Sequence, residues 1–390
     1  MKQLLIFLGT VVLLFTGLNI FASNDKESVN KEQIVPVTAR DSDKNNELKE
    51  VSELVYQHSL DGSVPTHTPI IVDEFIKGEQ HQVLYIVDNG VLQAINHVNG
   101  EIIWRVNVEG QVTTSPVYYE GNIILVSEDN LHALNATDGR EVWSKSHEQV
   151  VDHSPVVVGD TFVIASTNGT VTAFNKEGEV FWKVKVPELK NGLVAWKDSV
   201  IAASYEGVVI ELDASTGQQV WSTSLEGKIL GTPSVYEDSL YIGTSKGVVH
   251  AVDLKNKDIQ WRSTEFTYAN KNGLLNSTIR ANGVSTSIAS NGNYIAFGTV
   301  YEVIYLLNRE TGEVISSKNL TPDVTIEDKE MMLADPLLVE DSLFLSNRNA
   351  FYAYDKGLNV NFEYDGYVQL PINKNRSMVL TTNKYLYTIK

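Results

Sequence analysis

Residues 94–104 read AINHVNGEIIW, and the phrase returns as ALNATDGREVW at 133–143, AFNKEGEVFW at 173–182, ELDASTGQQVW at 211–221 and AVDLKNKDIQW at 251–261. The tryptophans that end it, Trp104, Trp143, Trp182, Trp221 and Trp261, stand 39, 39, 39 and 40 residues apart. A period of that length, with several short apolar runs in each repeat, predicts β-propeller blades of four strands. Inside the phrase, Asp or Asn can hydrogen-bond its own turn and Gly supplies a positive φ, so a third strand reverses into a fourth. The indole is then placed to pack on the next blade, which makes the five tryptophans structural docking residues.

Two further markers continue where the tryptophans stop. The turn before the third strand falls at Gly90, Asn130, Gly169, Gly207, Gly247, Glu302, Asn349 and Lys384, and the innermost strand begins at Pro69, Pro116, Pro155, Leu193, Pro233, Ser287, Pro336 and Pro371. Both registers give eight. The last repeat reaches Lys390 after three strands, so its outer edge needs a partner. Counting back from Pro69 by the twelve residues that usually separate Trp from the next innermost proline gives Gln57, beside Glu53-Leu54-Val55-Tyr56. The expected fold is therefore all-β: one eight-bladed propeller of four-stranded antiparallel blades over residues 51–390, its ring closed by an N-terminal strand.

Residues 1–22 carry Lys2 and then a nearly unbroken apolar run from Leu4 to Phe21, which reads as a cleaved export signal or as a retained N-terminal anchor. Residues 23–50 are polar and mixed in charge and are expected to be a disordered linker. With 49 acidic against 31 basic residues the chain carries a formal charge of −18, which excludes nucleic acid as a natural partner. There is no cysteine, and hence no disulfide, thiolate metal site or thiol nucleophile.

The Ala-x-Asp-x-x-Thr-Gly-x-x-x-Trp phrase resembles the tryptophan-docking repeat of the pyrroloquinoline-quinone-type propellers. A single eight-bladed ring behind an export signal most resembles the BamB-like outer-membrane protein assembly factors. That resemblance implies a periplasmic or envelope-associated scaffold, expected as a monomer, with a protein partner among the outer-membrane assembly components. The same superfamily contains quinoprotein dehydrogenases, so an enzyme of that class is the alternative, and a propeller binding carbohydrate or peptide in its central funnel is a third.

The residues favour the non-catalytic reading, with no catalytic, cofactor-binding or metal-binding site and no cofactor. The vicinal disulfide of the quinoprotein enzymes is ruled out, and tryptophans at one repeat position are better explained by packing than by stacking on a cofactor. The histidines at 58, 67, 81, 97, 132, 147, 153 and 250 include no pair at i, i+2 or i, i+4. No nucleophile elbow and no phosphate-cradling glycine loop occurs.

Three connections exceed the repeat, and long loops on a rigid scaffold commonly carry function. Two of them, 264–286 and 317–335, join consecutive blades on one face, and the third, between Asp73 and Gln82, falls on the other. The neighbouring pair carries Phe266, Tyr268, Leu274, Leu275, Arg280, Met331 and Met332, which make the candidate partner-binding patch. The resemblance implies an Arg-Leu-x-Asp-Val-Asp-x-x-Pro loop for engaging the outer-membrane insertase; here Arg280 to Ile288 keeps only Arg280 and Val284 and lacks both aspartates.

Overall fold

The computed structural model describes residues 36–38, 50–59, 67–76, 78–147, 150–264, 266–268, 280–281, 283–320, 335–346, 350–365, 369–374, 377–381 and 385–389. The chain is all-β, with seven four-stranded antiparallel sheets and one five-stranded sheet among these residues. Each four-stranded sheet uses strands consecutive in sequence: blade one is Ile70–Ile76, Glu79–Asp88, Val91–Asn96 and Ile102–Asn107, and blade four is Val194–Trp196, Ser199–Ala203, Val208–Asp213 and Gln219–Ser224. The innermost strands of successive sheets lie against one another, and that of blade one also meets Gln369–Lys374. This is a β-propeller.

One transverse row recurs across the sheets. Ile70, Tyr85, Ala94 and Trp104 face one another in blade one, Val117, Ile124, Ala133 and Trp143 in blade two, and Val156, Val163, Ala173 and Trp182 in blade three. Just outside the row the third and fourth strands slip by one residue, in a bulge that re-aims the tryptophan. The inner strands carry the core, since strands buried on both faces read as apolar runs. Val163 and Ala173 of blade three share one cluster with Val200 and Leu212 of blade four.

Glu50–Ser59 pairs antiparallel with Tyr385–Ile389, and the bulge recurs between Leu54 and Tyr56. Tyr56 stands opposite Thr388, so the docking position is Tyr56 and not Gln57, which the twelve-residue count missed because it ignored the bulge. Blade six (Ala289–Ser290, Tyr294–Gly298, Val303–Asn308 and Val314–Asn319), which follows blade five (Ser234–Tyr236, Ser239–Thr244, Val248–Asp253 and Asp258–Ser263), shows a similar one-residue shift: Ala289 pairs with Ala296 as Val117 does with Ile124, so Ile288 occupies the proline position and Ser287 precedes it.

Two expectations are corrected. Within 23–50, Pro36–Thr38 forms a strand on Glu50–Glu53, because the outer edge of the closing strand offers unpaired backbone groups; the rest of that stretch, like residues 1–22, lies outside the described residues. The third long connection is not a loop, since Asp73 pairs with Gln82 and the ladder continues to Ile76 opposite Glu79, extending the first hairpin of blade one.

Candidate functional site: the docking seams and the long connections

At four seams the indole is held in the same way. Trp104, Trp143, Trp182 and Trp261 donate their ring N–H to the backbone carbonyls of Ala136, Lys176, Ala214 and Arg309 on the next blade, at 2.9, 2.7, 2.7 and 3.1 Å. The ring also needs a bare backbone beneath it. Gly139 (φ +72°) and Gly217 (φ +71°) lie so close that a Cβ would come within 2.6 Å of the Trp104 and Trp182 rings. Trp182 is only 8% exposed, and truncating a side chain buried to that extent costs roughly 3–5 kcal/mol. Blade six has Ser316 at the tryptophan position, and its hydroxyl still donates to the Lys356 carbonyl at 3.0 Å.

Trp221 is the exception. Its neighbour has Lys257 (φ +64°) where the others have glycine, with the ammonium 5.9 Å from the Trp221 ring centroid and 4.8 Å from that of Trp196. Lys257 pairs with Glu211, which replaces the row's alanine, is 2% exposed and also accepts a hydrogen bond from the Ser199 hydroxyl at 3.0 Å.

A second set of contacts lines up just before the innermost strands. At five junctions the backbone N–H of the residue before the proline position donates to the side chain of its counterpart in the next blade: Thr68 to Ser115, Ser115 to Ser154, Gly192 to Thr232, Thr232 to Ser287, and Ser287 to the Asp335 carboxylate at 2.6 Å. A Ser or Thr before the proline thus bridges blades, a role that no single repeat shows because it depends on what the next repeat offers. The last of these bonds joins the ends of the two long connections, so 264–286 and 317–335 are anchored side by side.

The patch expected on those connections is only partly described. Phe266 is not a surface anchor: it is 1% exposed and packs edge-on against Phe297 and Tyr305 at 5.0 and 4.9 Å, because the chain plugs the core between blades five and six before it leaves. Tyr268 then pairs with Arg280 across a short two-stranded ribbon. Val284 is 1% exposed and bridges Thr299 as Val112 bridges Ser127 and Leu189 bridges Ser204, which makes it part of the ordinary connection. Leu274, Leu275, Met331 and Met332 lie outside the described residues.

Ser127 Oγ is 3.0 Å from His132 Nε2, and His132 Nδ1 is 3.4 Å from a Glu141 oxygen, an order that suits a nucleophile relay. Ser127 is fully buried and its hydroxyl is taken up by the Asn130 backbone, so no substrate reaches it. Among the described residues no group of three His, Asp or Glu side chains is placed to hold a metal ion, and no helix is long and apolar enough to cross a membrane.

The family model for the outer membrane protein assembly factor BamB matches residues 71–188 and 167–389. The chain belongs to this family. It is 19% identical over 294 residues to the BamB of Shewanella oneidensis, covering 67% of this chain and 65% of that protein, and 27% identical over 145 residues to that of Yersinia pestis, covering 34% and 33%. A stretch of 86 residues is 30% identical to the quinohemoprotein alcohol dehydrogenase of Comamonas testosteroni, covering 19% of this chain and 12% of that enzyme. Among solved structures, BamB from Moraxella catarrhalis superposes with a TM-score of 0.70 at 15% identity, over 87% of this chain and 98% of that one. The computationally designed Ika8 protein superposes at 0.63 with 14% identity, over 85% and 98%. These two likenesses bear on the fold alone.

Proposed function

We propose that this chain is a non-catalytic, protein-binding scaffold of the bacterial cell envelope that serves outer-membrane protein assembly. The observation that carries the reading is the BamB family match, which runs through nearly all of the propeller, whereas the likeness to a dehydrogenase covers a fifth of the chain. Trp104, Trp143, Trp182 and Trp261 support it as well, since their ring N–H groups are committed to neighbouring blades. In this reading residues 1–22 direct export, the linker tethers a monomeric propeller, and the ends of 264–286 and 317–335, tied by Ser287 and Asp335, present the partner face.

Photo-crosslinking from Tyr268 and Met331 in intact cells tests this. An outer-membrane assembly component should be captured from both positions and from neither Val142 nor Phe181 on the outer rim. Absorbance changes and turnover on adding quinone and calcium to the purified protein would instead establish the dehydrogenase alternative.

A further inference from the structure

We draw no further inference here: the strongest candidate, the first hairpin of blade one that holds Phe75 67% exposed between the buried Glu74 and Ile76, is an unpartnered apolar patch, and nothing in the structure shows what covers it.

Discussion

Lys257, in the third turn of blade five, reaches back across the seam to pair with Glu211 in the third strand of blade four. Both depart from the repeat, which has glycine at the one position and alanine at the other. Each departure accounts for the other, since a carboxylate in the row needs a cation and the turn beside it is the nearest place to carry one. Buried pairs of this kind are costly to break and cheap to replace.

Lys257→Gly or Glu211→Ala alone should therefore destabilise the chain, by about 3–5 kcal/mol for the variant that strands Glu211. The double variant restores the ordinary docking turn and should lie within about 1 kcal/mol of the unaltered protein, or above it. Urea denaturation of the four proteins decides this, and additive losses would show that the two residues are not coupled.

Gly192 interrupts the line of side chains that bridge the innermost strands, because it gives Ser154 nothing to donate to. Its backbone is not left-handed, and an added Cβ would approach nothing nearer than the Thr232 hydroxyl, at 3.3 Å. Gly192→Ser should stabilise by roughly 1 kcal/mol, from one hydrogen bond and a less flexible unfolded chain. A lower denaturation midpoint would mean that the line is an accident of spacing.

The blades were legible in sequence because one phrase repeats at a fixed distance, and repetition reports both strand order and the position of each tryptophan. The counts slipped where a bulge or a lost proline broke the spacing, at Tyr56 and Ile288. Phe266 was misplaced for a different reason. An aromatic residue on a long connection looks like a docking anchor until the cavity it fills is known, and that cavity is made by Phe297 and Tyr305, some thirty to forty residues further along the chain.

His250 makes the stability of the propeller depend on pH. Burial, and then the charge of Arg262 directly opposite, lowers its pKa from 6.5 to about 4. Burial likewise lowers the pKa of His67, against the opposing effect of the Val112 carbonyl. Between the two values the unfolded chain holds the proton and the folded chain does not, so stability is full above pH 6.5 and falls as the pH drops towards about 4. The loss is on the order of 2 kcal/mol, and His250→Ile, the residue type blade four carries at Ile210, should remove most of it. Equal pH dependence of the two proteins in denaturant titrations would rule out His250 as the source.

Phe266→Ser should melt far below the unaltered protein, since it opens a cavity and buries a hydroxyl in a three-ring cluster; a loss of about 3–5 kcal/mol is expected. The combined change of Leu274, Leu275, Met331 and Met332 to serine should leave melting nearly unchanged while reducing partner capture by about tenfold or more. Normal capture would remove these four from the partner face, and a large drop in melting temperature would place them in a buried lid.

The last prediction concerns the strand that joins the two ends of the chain. Glu50–Ser59 covers the outer edge of Tyr385–Ile389, and the bulge at Leu54–Tyr56 gives it the register that the fourth strand has in the other blades. If it is the closing strand, deleting 50–59 exposes a pairing edge next to the first blade and leaves the docking position of Tyr56 empty. Deleting 24–35 removes mostly polar chain that precedes the short strand Pro36–Thr38. The first deletion should therefore cost several kcal/mol and promote edge-to-edge association in analytical ultracentrifugation, whereas the second should leave both stability and mass unchanged. Should the two deletions melt together as monomers, the ring does not depend on this strand, and its pairing with the C-terminal strand is incidental.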